Sequence, residues 1–482
     1  MEHSHFGCFG GIFLVTIQGT ELKEGILQAI MKAKQLERPV LVSEVHQIED
    51  VDSLAFFHSG EKRFLGERFF WKDPLDENIL IGIGICELIQ TDQVSDRFFR
   101  VEEEWKRFID ESIIYNPFST TGAGPLLFGG FSFDPLKDKT ELWSKYSDTL
   151  FHLPKYMLSK VNGITYLTTN VVCTRHDDEN TLLNKVTEER NILLADSSVS
   201  ENKTNPVLIN KEAINPQAWK ESVQKVVEEL KDGVLKKVVL ARELRLYFKD
   251  SIGLSDVLTR LHNEQHESFI FAFESNGDCF VGASPERLIK KHDKDLFTTC
   301  LAGSIPRGKT EDEDNLLGNL LLHDQKNLIE HQYVVDMIQQ AMDGACEEVV
   351  LPDRPELMKM RDIQHLYTPV IGKSKEDTTI LQMVEKLHPT PALGGLPKLE
   401  SLNKIREVEE LDRGFYAAPI GWIDYQGNGD FAVAIRSALI QGKEASLFAG
   451  CGVVANSDPE SEYMETNIKF RPMLSALGGK VI

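Results

Sequence analysis

Apolar positions along this chain follow two periods. Alternating or continuously apolar runs of strand length recur from end to end, among them RPVLVSEV, NILIGIGICELI, GITYLTTNVVC, KKVVLARELRLYF, SFIFAFES, APIGWIDY and ASLFAGCGVV, and such runs predict β-strands. Between them lie helical patterns. QAWKESVQKVVEELKDG and EDNLLGNLLLHDQKNLIEHQYVVDMIQQAMDG space their apolar residues for one helix face, and each closes on a glycine. Many strands follow one another directly, as in hairpins, so the pattern predicts antiparallel sheets with helices packed outside, an α+β class rather than a doubly wound one. A polar stretch at about residues 176–205 is the one plausible boundary, giving segments 1–205 and 206–482. GIGIC at 82–86 and the glycines of TGAGPLLFGG lack a strand-to-helix context or a lysine, and are read as strand and turn residues rather than nucleotide loops.

Charge narrows the possible partners. The 482 residues carry 75 acidic against 53 basic side chains, a net charge of −22, which argues against nucleic acid or an anionic membrane as partner. An anionic substrate would need a local cluster of cations. The seven cysteines are scattered through apolar segments with no C-x-x-C pair, as free thiols of a reducing cytoplasm would be. The N-terminal apolar run has no Lys or Arg ahead of it, and no stretch reaches ~18 apolar residues, so neither a signal peptide nor a membrane span is expected.

The segment AGCGVVANSDPESEYMETNIKF carries the clearest chemistry. Asp458 and Pro459 read as the N-cap and first residue of a helix that sets Glu462, Glu465 and Lys469 on one face. Two like charges one turn apart repel, and hard oxygen ligands without histidine or cysteine favour magnesium. On spacing alone, a solvated acidic face is the commoner cause. The apolar approach LFAGCGVV predicts instead a buried strand, whose Gly450 and Gly452 would let a carboxylate near bare backbone N–H groups.

Further candidates lie upstream. Lys237 shares a strand face with Val239 and Ala241, where desolvation of an amine disfavours its charged form and suits a general base; a snorkelling edge lysine is the plainer alternative. Glu286 follows a Ser-Pro turn after a strand and could donate a proton. Glu330 shares a helix face with Val334 and Met337, where a charge needs a partner. Arg436 interrupts an apolar strand and calls for an anion. His388 and Tyr416 stand in turns and are open to structural or ligand-binding roles.

Across about residues 215–472 the ordered motifs KVVLAR, GASPERL, LAGSIPRG, HDQKNLIEH, HPTPALGG, DRGFYAAPIG, AIRSAL, LFAGCGVV and SDPESEYMET resemble the chorismate-utilising enzymes, with FGGFSFD a looser match in the first half. The resemblance implies an anthranilate synthase component I-like fold, two stacked antiparallel sheets flanked by helices, in one domain continuous across residue 205. It implies Glu330 and Glu465 as magnesium ligands with Glu462 close by, and a substrate site of Ser304, His388, Tyr416, Arg436, Gly450 and Lys469. Lys237 occupies the position where ammonia-using members generally carry glutamine. It would activate water at ring carbon 2 while Glu286 protonates the hydroxyl leaving carbon 4, turning chorismate reversibly into isochorismate. Ala302 stands where aminodeoxychorismate synthases often carry lysine, and GCFGG at Cys8 lacks the histidine of a glutaminase. No glutaminase subunit is therefore expected, and a cytoplasmic monomer is. The length of the first half resembles menaquinone-pathway isochorismate synthases more than siderophore-pathway ones. Salicylate synthases, which go on to expel pyruvate, share the same residues, and a non-catalytic chorismate-binding subunit is the alternative of another class.

Overall fold

A computed structural model describes residues 20–74, 78–197, 206–361 and 363–478. Cys8 and its GCFGG string lie outside the described residues. The α+β class holds: 21 strands join in one continuous hydrogen-bonded network, almost entirely antiparallel, with helices outside it. Strands from both sides of residue 205 interleave. Trp71 pairs with Phe271, and Phe128 with Trp422. Arg68 Nε donates to Glu274, 206 residues on, at 3.0 Å, and both side chains are buried.

Strand alternation builds two cores from the same strands. Phe69, Trp71, Phe269, Phe271 and Phe273 enter one core, which is rich in stacked and edge-on rings, while Phe70, Ile270 and Ala272 enter the other. The second core is covered by helices that contribute Leu22, Ile26, Leu193, Leu258 and Met473. Roughly 1.5–3 kcal/mol accrues from each fully buried large apolar side chain, before the entropy of ordering the chain is set against it.

The long helical pattern predicted over residues 313–344 is two helices, Glu311–His323 and Gln325–Ala345. Asp324 takes an extended conformation between them and its carboxylate accepts the Asn327 N–H at 2.7 Å, a cap that starts the second helix. Nor does a glycine close it, since Gly344 lies within. The helix at Pro459–Lys469 opens as expected, with Asp458 accepting the Ser461 N–H at 2.9 Å.

Candidate active site

The strand Glu444–Val453 pairs along the strand Lys237–Phe248, setting Gly450 opposite Ala241 and Gly452 opposite Val239. Glycine at 452 has a steric cause: a Cβ there would lie 2.5 Å from Lys237 Cε and 3.1 Å from Nζ. The lysine therefore runs over bare backbone. A Cβ on Gly450 would lie 3.2 Å from the Tyr416 hydroxyl. The two glycines thus make room for protein side chains, a use the sequence reading had given to a ligand.

These strands border a cavity of about 190 Å³. It is lined by Lys237, Glu286, Ser304, Glu330, Tyr416, Arg436, Gly450, Glu462, Glu465 and Lys469, so every singled-out residue except His388 meets there. His388 is instead buried with Nε2 2.9 Å from the Phe133 carbonyl and its ring edge-on to Phe133. Burial first, then nearby Arg97, push its pKa down to about 3. It is a neutral bracket behind the wall, and its neighbours Ala392 and Leu393 reach the cavity in its place.

Charges of both signs converge. Lys237 Nζ stands 3.6 Å from Glu330, and Lys469 Nζ is 2.7 Å from Glu465 and 2.8 Å from the Gly450 carbonyl. Glu286 is held by its backbone, since its N–H reaches Ser284 Oγ at 3.2 Å and its carbonyl accepts the Val433 N–H at 3.0 Å. Burial raises its pKa to about 8 even though Lys237, Arg436 and Lys469 pull the other way. A carboxylic acid that keeps its proton at neutral pH thus shares a cavity with an amine. Arg436 adopts φ 52° and Ala417, next to Tyr416, φ 61°. Strained backbone at one wall residue and directly beside another is typical of functional sites.

The three remaining carboxylates differ. Burial, with Glu465 adding to it, raises the Glu462 pKa; at Glu465 burial is outweighed by Lys469, which holds that carboxyl below its usual range. Among the described residues no three His, Cys, Asp or Glu side chains are gathered closely enough to hold an ion as they stand. The donor set nevertheless suits a hard divalent cation, since Glu330, Glu462 and Glu465 all line the cavity and offer oxygen alone.

A family described as "Chorismate binding enzyme" matches residues 28–478. The chain belongs to the chorismate-binding enzymes. It is 44% identical over 473 residues to isochorismate synthase MenF of Bacillus subtilis, spanning 97% of this chain and 99% of that one. It is 35% identical over 464 residues to the salicylate biosynthesis isochorismate synthase of Pseudomonas aeruginosa, spanning 94% of each. Among solved structures, menaquinone-specific isochorismate synthase MenF from Escherichia coli matches with TM-score 0.74 over 94% of this chain and 100% of that one, at 21% identity. That last likeness concerns the fold alone.

Within this chorismate-binding fold, sequence reasoning missed Lys326, Asn327 and His365, all of which line the cavity. Lys326 and Asn327 lie one turn before Glu330 on its own helix, so helical spacing could have found them. His365 gave only a histidine inside an apolar strand. Burial first, then Arg436 and Lys469, lower its pKa to about 3, and its buried Nε2 has no hydrogen-bond partner. A larger cavity of about 860 Å³ lies further along the Lys237 strand, lined by Trp219, Arg242 and Glu409 among others. It contains none of the converging residues, so size alone would misplace the site.

Proposed function

We propose that this chain converts chorismate reversibly into isochorismate, in the menaquinone pathway. One observation carries the reading: Lys237 and a carboxylic acid protonated up to about pH 8, Glu286, face one cavity, in a chain 44% identical to an isochorismate synthase over nearly its whole length. Lys237 takes a proton from the water that attacks ring carbon 2. Glu286 gives its proton to the hydroxyl leaving carbon 4. Both conjugated double bonds of the ring shift by one position as the hydroxyl leaves, and the reaction is an isomerisation, near balance and reversible.

With Lys237 neutral as the base and Glu286 protonated, Lys326, Arg436 and Lys469 stand against Glu330, Glu462 and Glu465 in the cavity. The lining is then balanced in charge, so a bound divalent cation would supply the positive charge that a dianion needs, despite the net charge of −22. Arg436 and the Tyr416 hydroxyl would hold the pyruvyl carboxylate, with Ser304 and the Gly450 backbone beside them. Glu330 and Glu465, with Glu462 near, would hold a magnesium ion, which when bound supplies positive charge for the ring carboxylate. The alignment at full length to the Bacillus relative supports the menaquinone assignment. No helix among the described residues is long and apolar enough to cross a membrane, and cytoplasmic monomers without a glutaminase partner fit a water-using enzyme.

The test is chromatography of the products after incubation of the purified protein with chorismate and magnesium. Isochorismate without pyruvate is expected. Salicylate with pyruvate would move the chain to the lyase branch, and no turnover at all would reject catalysis.

A further inference from the structure

We infer that Glu409 and Arg413 are positioning residues that set Lys237 for catalysis; the inference rests on the reading of Lys237 as the base. The Lys237 strand has a gap on one edge. On the edge away from Glu444–Val453, Gly395–Leu396 pairs with Lys237 and Val238, and Leu208–Ala213 pairs only from Leu244 onward. Between them the Val239 N–H reaches the Gly394 carbonyl and the Glu243 carbonyl accepts the Ile214 N–H, but no strand lies against the Val239 carbonyl and the Ala241 N–H.

Two buried side chains fill the gap. Glu409 Oε2 accepts the Ala241 N–H at 2.7 Å, and Arg413 Nη2 donates to the Val239 carbonyl at 2.7 Å. They are joined by two short bonds, Arg413 Nε to Oε1 at 2.6 Å and Nη2 to Oε2 at 2.7 Å. Arg413 Nη1 reaches the Leu393 carbonyl at 3.1 Å, and its guanidinium lies 4.2 Å from the Phe133 ring centroid. Only 6% of Glu409 and 3% of Arg413 is exposed.

An ion pair taken fully out of water is a poor way to gain stability, and its best use is to specify one arrangement. Here the arrangement is that of the cavity. The guanidinium fork ties together the Lys237 strand, the turn that carries Leu393 and, three residues on, Tyr416; all three reach the cavity wall. Neither clamp residue lines the cavity itself. Ser401 Oγ adds a bond to the Lys237 carbonyl at 3.0 Å, so the base is gripped at its own peptide and at the two strand groups beyond it.

The test is steady-state kinetics of Glu409→Gln and Arg413→Lys across pH, with thermal melting to establish that each is folded. Each variant keeps some of the hydrogen bonds but not the two-point ion pair. A fall in kcat of about tenfold or more is expected, with the chorismate KM within about twofold. Glu407→Gln, which alters a neighbouring surface carboxylate paired with Lys225 and Lys404, keeps the wild-type rate. A folded Glu409→Gln or Arg413→Lys with unchanged kcat and pH profile would overturn the inference. If Glu409→Gln fails to fold, Arg413→Lys decides, and if both fail, the paired apolar replacement Glu409→Leu with Arg413→Met is measured in the same way. Lys237→Ala run alongside separates the two readings: normal turnover there refutes the base assignment itself, whereas its inactivity beside normal clamp variants refutes only the clamp.

Discussion

Replacing Gly452 by alanine should disable Lys237 without touching it. The new Cβ would sit 2.5 Å from Lys237 Cε and 3.1 Å from Nζ, whereas carbon atoms rest at about 3.5–4.0 Å. The amine end must therefore move by about 1 Å. A displacement of that size at a reacting group costs on the order of 10²-fold in rate, or about 2.7 kcal/mol in the barrier. Stability should hardly change, because Gly452 lies in an ordinary strand conformation and the atoms it meets are the far end of a flexible side chain. The assay is isochorismate formation at saturating chorismate, with the melting temperature measured on the same sample. A folded Gly452→Ala variant with kcat within twofold of wild type would show that Lys237 does not need its path across residue 452, and the placement of the base would be wrong.

Other expectations follow from the same wall. Burial lifts the Glu286 pKa to about 8 in the folded protein from an ordinary 4.5, so between those values the folded protein holds a proton that the unfolded chain releases; stability falls as pH rises through that window and levels off above it. Denaturant titrations of Glu286→Gln should lack that decline, and its turnover should be lost, while wild-type turnover should fall above about pH 8. Glu465→Gln should weaken magnesium binding measured by calorimetry and raise the chorismate KM; unchanged magnesium affinity would reject its role as a ligand. His388→Ala should cost roughly 1–3 kcal/mol of stability, through the loss of its bond to the Phe133 carbonyl, and leave KM unaltered. A large KM change without destabilisation would return His388 to the substrate.

Local rules read well here wherever one segment holds both cause and effect. The Asp458 cap and the spacing of Glu462, Glu465 and Lys469 lie within a dozen residues, and apolar runs marked many of the strands, although Arg436, read inside one strand, stands between Gly429–Val433 and Ser437–Gln441. The single predicted helix over 313–344 failed because Asp324 is an ordinary polar residue in a helical pattern until its side chain turns back to cap Asn327. His388 lies outside the cavity for a different reason. Its turn sequence fixes where the backbone bends but not that Phe133, 255 positions away, supplies the acceptor. The strand groups gripped by the Glu409–Arg413 clamp are distant too, 168 and 174 positions away. Only the assembled sheet brings them together.

The interleaving of the two halves has a consequence for how the enzyme is made. Arg68 waits for Glu274, the strand at Phe128 for its neighbour at Trp422, and Lys237 for Gly452 and the helix that ends at Lys469. A growing polypeptide leaving the ribosome therefore carries unpaired strand edges and a buried-to-be arginine through long stretches of its synthesis, and the cavity closes only after its last wall has emerged. Such long-range pairing is slow and exposes aggregation-prone edges meanwhile. Active yield should accordingly depend on chaperone supply and on the pace of translation through the last third of the message.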